Sequence, residues 1–417
     1  MNKAMYKNNF YFLDWAIFLL PISIIIGNAA ININCLIISV LFGVNVFVKK
    51  INLIENIKKK FLLFLFLLFF SLNIYFSINL QISLISFIGI IKYALLSLAI
   101  IYCSKYIETF INKFSKLILV TLILVGLDTL LQFFTGVDIF GYSLQSNHGV
   151  RLSGPFGDEY IVGSYMSKFG LIALFYLNKE KKIYEFLFLI FIIGIVILSN
   201  ERSASIMCLA SVIAYLVLNP NFKIKTKIIY FAGVILLIFS LFNINTQLKD
   251  HYVKRTIQQF GNADNYDYKH RSFRDSRWGA HFLTAIEISK NNIILGSGLH
   301  TFRIECKNKK YEKIDSVRFS ERCNTHPHNI YFEIWSELGT LFFIFFVFFV
   351  LYFLFKLFKV YFFNKQYQQE AAIIISLYFM LFFPIQTTGS LFSTWNGVIY
   401  WIVIALCVNL FNKALKS

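Results

Sequence analysis

Charge is what this sequence has least of. Asp, Glu, Lys and Arg make up 15% of its 417 residues, against 57% hydrophobic and 18% aromatic. Soluble domains carry about 25% charged residues, so a water-soluble globular fold is excluded. Acid is the scarcer sign, 22 Asp and Glu against 40 Lys and Arg. The hydrophilic segments hold no convincing acidic cluster for a metal, "DNYD" at 264–267 being too thin to count. Histidine occurs seven times and cysteine six. There is no internal repeat and no low-complexity linker. The net charge of +18 carries little weight, because a Phe-, Ile-, Asn- and Lys-rich composition partly follows genome base bias. No nucleic-acid partner is inferred from it.

What is abundant is apolar sequence in runs near the length needed to cross a bilayer. Such runs lie at about 12–28, 34–48, 61–79, 81–102, 117–134, 161–178, 183–199, 203–219, 228–244, 329–355, 371–388 and 391–411. They predict an all-α polytopic membrane protein of about twelve transmembrane helices. Alternate connections are rich in lysine, among them Lys49, Lys50, Lys58, Lys59, Lys60, Lys179, Lys181 and Lys182, whereas the short intervening ones hold only Arg151 and Arg202. The positive-inside rule then places both termini in the cytoplasm. "GNAA" after the first run offers small residues for cleavage, but another run follows at once, so an uncleaved first helix is expected.

The expected organisation is an N-terminal bundle of about nine spans over 1–244, a long, partly helical periplasmic loop over 245–327, and a C-terminal bundle of about three spans over 328–417. The long loop has fifteen Lys and Arg against nine Asp and Glu, an excess of base that suggests an anionic partner. All seven histidines fall on the outer side in this topology. Cys306 and Cys323 are the only cysteines in the long loop, and an oxidising compartment permits a disulfide between them. The other four lie in or beside apolar runs and read as packing residues.

The stretch "CNTHPHNIYFEIWSELG" (323–339) places two histidines at the mouth of an apolar helix. Pro327 suits a first helical turn. In a helix starting there, Gly339 lies only ~20° around the axis from His328 at 3.6 residues per turn. Gly339 would then let another helix pack closely beneath the histidine. His326 and His328 lack a convincing third ligand, so no metal is expected. Lys92, Lys168 and Asp128 fall within predicted spans and should find interior partners, while Glu333 and Glu337, opposite His328, are candidates to pair with such a base. "GSGLH" at 296–300 reads as a turn.

A histidine followed after ten residues by glycine, opening a late span behind a long outer loop, resembles the O-antigen ligase family of bacterial envelope enzymes. "RLSGPFGDEYIVGSY", "LSNERSAS" and "DSRWGAHFLTAIEISKNNIILGSGLHTF" add to the resemblance, which runs in order from about residue 120 to 411. It implies transfer of a glycan from an undecaprenyl-pyrophosphate carrier to an acceptor hydroxyl at the outer face of the inner membrane. His328 would be the catalytic histidine, Arg202 the span-end arginine and Arg277 the loop arginine. The chemistry suits them. A neutral imidazole can take a hydroxyl proton, and arginine offers a permanent charge and a fork matched to phosphate oxygens.

Arg271 and Arg274 are secondary donor contacts, Arg151 a further substrate contact, and His326 a residue that tunes the site. No cofactor is implied. Expected partners are the lipid-linked donor, membrane lipid, and lipid A–core or another glycan as acceptor. One dominant outer loop favours the ligase over an O-antigen or exopolysaccharide polymerase, and protein glycosylation remains a third acceptor choice. A flippase or transporter for lipid-linked sugars would carry cations along a central cavity and often a repeated half. Here the candidate residues gather at one membrane face.

Overall fold

The computed structural model describes residues 11–48, 57–143, 151–260, 273–312, 314, 316 and 318–415. Among them the regular elements are helical, with one isolated bridge between Val137 and Ser143. The chain opens with α1 (Tyr11–Phe18), α2 (Leu20–Ile26), α3 (Asn28–Val48), α4 (Ile57–Tyr75), α5 (Leu80–Tyr106) and α6 (Phe110–Thr135). It continues through α7 (Val162–Leu177), α8 (Lys182–Leu198), α9 (Arg202–Leu218) and α10 (Ile224–Ile244). The segment 245–327 is partly helical, with α11 (Thr246–Phe260), α12 (Arg277–Asn291) and the short α13 (Phe302–Glu305). The chain closes with α14 (Ile330–Phe363), α15 (Gln368–Phe382) and α16 (Thr394–Ala414).

Each apolar run of the sequence falls on helix, the first of them divided between α1 and α2 near Pro21, which has no backbone N–H to donate. By length and composition, six helices among the described residues could cross a membrane: α3, α5, α6, α10, α14 and α16. Residues 63–75 of α4, with α7 and α9, are shorter apolar helices. The sixteen residues of α7 rise only about 24 Å at 1.5 Å per residue, short of a ~30 Å hydrocarbon core. The chain is an all-helical, multi-pass membrane protein.

Burial sorts the helices into inner and outer ones. Along α7 and α15 nearly every side chain is buried, from Val162 to Leu177 and from Ala371 to Phe382. A helix apolar on all sides and buried on all sides belongs at the centre of a bundle. In α10 only Tyr230 is buried, while Ile228, Ile229, Ile235, Leu236 and Phe239 are exposed. Such a face is stable only against lipid. A separate small core of Ala285, Ile288, Phe302, Cys306 and Tyr311 binds the 277–323 region together and packs against Phe332 of α14.

Lys92, Lys168 and Asp128, expected inside spans, find hydrogen-bond partners, but neutral ones. Lys168 donates to Asn396 Oδ1 at 2.8 Å and lies over the Trp395 ring. Lys92 donates to Asn32 Oδ1 at 2.6 Å, and Asp128 accepts the N–H of Ile139 at 2.8 Å. Neither lysine pairs with Glu333 or Glu337, which are taken up by backbone donors described below.

Candidate active site

The site forms where α14 begins. Asn329 is the N-cap: its Oδ1 accepts the N–H groups of Tyr331 at 2.9 Å and Phe332 at 3.3 Å, satisfying donors that a helix start leaves open. Its amide donates to the carbonyls of Pro384 and Gln386 at 2.7 and 3.1 Å, so one side chain joins α14 to the α15–α16 connection (383–393). His328 therefore stands two residues before the helix rather than in its first turn. Its backbone is left-handed, φ 58°, a conformation that costs a non-glycine residue about 1–3 kcal/mol and gathers at functional sites. The Thr388 N–H holds it there, donating to the His328 carbonyl at 2.7 Å.

Three rings from two segments close around His328. His281 of α12 stacks on it at 5.2 Å between centroids, Trp278 meets it edge-on at 4.7 Å, and His326 lies at 4.2 Å. Asn324 Nδ2 donates to His328 Nε2 at 2.9 Å. Burial first, then His326, His281 and Arg277, push the His328 pKa down to about 2. His326 is lowered to about 4 by burial and by the charges of His281 and Arg303, and its Nε2 meets the Thr388 carbonyl at 3.3 Å. The ring cluster is thus electrically neutral, with its cations placed around it.

Arg277 is the first residue of α12, capped by Ser276, whose Oγ accepts the Gly279 N–H. Its guanidinium is half exposed and pairs with Glu321 at 3.5 Å. An ion pair in water is worth about 0–1 kcal/mol, so Arg277 can turn toward another anion at small cost. Arg274 lies exposed in the short turn before α12, and Arg271 is outside the described residues.

Arg202 is the first residue of α9 and half-buried. Glu201 before it is buried and accepts the Gly163 N–H at 2.6 Å and the Ser164 hydroxyl at 2.8 Å, a carboxylate at the N-terminus of α7, where the helix dipole favours it. Arg151 acts electrostatically on Glu201 and lies 5.9 Å from the Tyr160 ring centroid. Ser203 Oγ donates to the Thr387 carbonyl at 3.0 Å. Because Thr388 holds His328, the start of α9 and the catalytic-candidate histidine are joined through two adjacent residues.

Gly339 plays a different part from the one its spacing suggests. It does not lie on a continuous helical face: its φ of 78° and ψ of 174° break α14 there. What approaches it is the "LGSGL" turn, not a helix. Ser297 and Gly298 donate their N–H groups to the carbonyls of Ser336 and Glu337 at 3.0 Å each, and Thr340 N–H donates to the Ile293 carbonyl at 2.7 Å. Asn73 of α4 adds a donor to the Glu337 carbonyl at 3.0 Å. The turn thus satisfies polar groups freed by the break, each of which would cost about 1–3 kcal/mol if left buried and unpaired.

The half of α14 before the break carries the two buried glutamates. Glu337 accepts the N–H of His300 at 2.6 Å and of Phe302 at 3.0 Å. Glu333 accepts the Ser390 hydroxyl and, at 2.8 Å, the Leu391 N–H. Each carboxylate pins one loop at the rim of the site. Arg303, which the sequence reading passed over, bonds to His300 and lies near enough for its charge to act on His326, Glu333 and Glu337. Asn324, Trp278, His281 and Thr388 were missed as well. Cys306 and Cys323 are paired in a disulfide with Cα atoms 5.4 Å apart, which holds Arg303 and Asn324 on the same strap.

The described geometry sets His326 against His328, places Arg277 near enough to act on His328 electrostatically, ties Arg202 to the histidine through Thr387 and Thr388, and leaves Arg151 beside Glu201. No curated protein matches the chain. The family model described as O-antigen ligase matches residues 187–347, a stretch from α8 to just beyond the break in α14. It contains Arg202, Arg277, His326, His328 and Gly339, and begins after Arg151. Through this stretch the chain is similar to the O-antigen ligase family.

Proposed function

We propose that this protein transfers a polysaccharide from undecaprenyl pyrophosphate to an acceptor hydroxyl at the periplasmic face of the bacterial inner membrane, and that the acceptor is lipid A–core. The observation that carries the reading is His328: a strained, neutral imidazole inside a family-matched segment, with Arg277 close enough to act on it electrostatically. His328 Nε2 takes the acceptor's hydroxyl proton. The acceptor oxygen bonds to the anomeric carbon of the donor, the bond from that carbon to the phosphate oxygen breaks, and its electron pair leaves on the pyrophosphate. Arg277 and Arg202 hold that leaving group, with Arg274 and Arg151 as further contacts and His326 orienting the base.

A histidine held down to about 2 is always in its basic form but grips a proton weakly. The donor acts against this. Its negative charges beside Arg277 offset the smallest of the causes that depress His328, after burial, His326 and His281, and favour the protonated ring. In this reading 245–327 is the periplasmic loop, both termini are cytoplasmic, twelve helical segments make up the bundle, and the lipid tail enters from the side.

The test is a reconstituted transfer assay with undecaprenyl-pyrophosphate-linked O-antigen, with and without lipid A–core, and His328→Ala as control. Glycan on lipid A–core that the variant does not make supports the ligase. Longer lipid-linked glycan with no core product reassigns the protein as a polymerase. Near-normal product from a correctly inserted His328→Ala protein overturns the assignment of the base.

A further inference from the structure

We propose that Asn324 is the positioning residue of this site, its amide selecting the form of His328 that carries its proton on Nδ1 and presents the Nε2 lone pair to the acceptor. The inference rests on the reading of His328 as the base.

One donor beside Asn324 can be nothing else. The backbone N–H of Thr325 points at Asn324 Oδ1, 2.7 Å away. A backbone N–H only donates, so the atom it meets is the amide oxygen, and the other end of the amide is NH2. That end faces His328 Nε2 at 2.9 Å. An NH2 group also only donates, so Nε2 must accept, and a neutral imidazole then has its single hydrogen on Nδ1. The same logic gives His326 the opposite form. Its Nε2 meets the Thr388 carbonyl at 3.3 Å and its Nδ1 meets the Thr325 hydroxyl at 2.9 Å, so Nε2 carries the hydrogen. Two histidines with centroids 4.2 Å apart are therefore set in opposite tautomers, each by a partner that leaves no choice.

The groups facing His328 explain why the tautomer is the variable that matters. His326 comes from its own segment, and His281 and Arg277 come from α12. The α15–α16 connection contributes only the Thr388 backbone to it. Burial and all three of these neighbours disfavour the imidazolium, so charge is already decided and only the position of the hydrogen remains. Asn324 is well placed to decide it, because it follows Cys323, which is bonded to Cys306. When an acceptor hydroxyl arrives, it takes over the contact with Nε2 as its proton passes to that nitrogen.

The experiment compares the parent with Asn324→Asp, Asn324→Ala and His328→Ala in the transfer assay across pH, with donor KM and kcat separated. A carboxylate at position 324 favours the imidazolium, so Asn324→Asp should gain a limb of kcat/KM that rises with pH through neutrality, with a rate at pH 6 about tenfold below the parent's. Asn324→Ala should keep the parent's profile and lose kcat by roughly tenfold with little change in donor KM. Side-chain nitrogen NMR of the parent, assigned with His328→Ala, should show an unprotonated Nε2. If His328→Ala is inactive but Asn324→Asp keeps the parent's pH profile, the role of Asn324 is overturned while the base stands. If His328→Ala is fully active, the base reading fails first. Should Asn324→Asp not fold, the NMR decides alone: a protonated Nε2 in the parent overturns the proposal.

Discussion

Gly339 and Gly296 meet backbone to backbone: a Cβ on Gly339 would lie 2.7 Å from the Gly296 nitrogen, and one on Gly296 would lie 2.5 Å from the Gly339 nitrogen. Both residues also have positive φ, 78° and 73°. With ψ at 174°, Gly339 occupies a region that only glycine enters freely. Gly339→Ala should therefore cost about 1–3 kcal/mol in backbone strain alone, with the steric clash in addition. A lower melting temperature and loss of transfer are expected. A variant with parental melting behaviour and activity would show that the break in α14 is dispensable.

Much of the architecture was legible in sequence because lipid demands long apolar helices, and every apolar run lies on one. The site was legible only in part. The ~20° offset between His328 and Gly339 assumed a helix that runs unbroken at 3.6 residues per turn, whereas Asn329 caps α14 after His328 and Gly339 interrupts it. Periodicity has no term for a positive φ. Arg303 and His281 were not legible because the site groups they act on, His326, Glu333 and Glu337 for the one and His328 for the other, come from distant segments. Asn324 is only four residues from His328, but the contact depends on the left-handed turn between them.

Acid should unfold this protein through its histidines. His281, His300 and His326 are each held down to about 4 and His328 to about 2, burial being the first cause for all four. Once released by unfolding they bind protons near pH 6.5. Below that value the unfolded chain binds more protons than the folded one, so stability falls as pH falls. Above pH 7 the four rings are neutral in both states and contribute no pH dependence. Melting temperature measured from pH 8 to pH 4 should be level at first and drop steeply below about 6.5. The parent's kcat/KM, which reports the free enzyme, should show no histidine limb between pH 6 and 8. A limb near 6.5 would mean that His328 is not held neutral.

Arg277→Lys tests charge against shape. Both side chains are cations, but an ammonium cannot make the planar two-point contact that a guanidinium offers to phosphate oxygens. Loss of the weak pair with Glu321 should leave stability within about 0.5 kcal/mol. Transfer, in contrast, should fall by tenfold or more, on the order of 1.4 kcal/mol of lost binding to the transition state. Full activity would move the pyrophosphate contact to another arginine, with Arg303 and Arg202 next in line.

Reducing the Cys306–Cys323 bond should loosen the strap that carries Arg303 and Asn324. The cross-link closes a loop with a sequence separation of 17, and chain entropy assigns such a loop roughly 3 kcal/mol. Cys306→Ser with Cys323→Ser should lower the melting temperature and reduce kcat, while the lipid-embedded helices still insert. Because Asn324 adjoins Cys323, this double variant should also lose part of the tautomer selection at His328. An unchanged melting temperature would count against a stabilising cross-link.

Glu337 offers the sharpest test of how the rim is held. Its two oxygens receive two backbone donors, His300 N–H at 2.6 Å and Phe302 N–H at 3.0 Å, and the His300 backbone is itself left-handed at φ 60°. Removing the carboxylate as Glu337→Ala leaves two buried N–H groups without acceptors, at about 1–3 kcal/mol each. Glu337→Gln keeps one oxygen and turns an NH2 toward the other donor, so it should recover less than half of the loss. The consequence for activity follows from position: His300 bonds to Arg303, whose charge acts on His326. Both variants should therefore weaken transfer in the same order in which they lose stability. If Glu337→Gln melts like the parent and transfers normally, the carboxylate is not what holds His300 in its strained turn, and the hydrogen bonds of the "LGSGL" turn to the broken helix hold it alone.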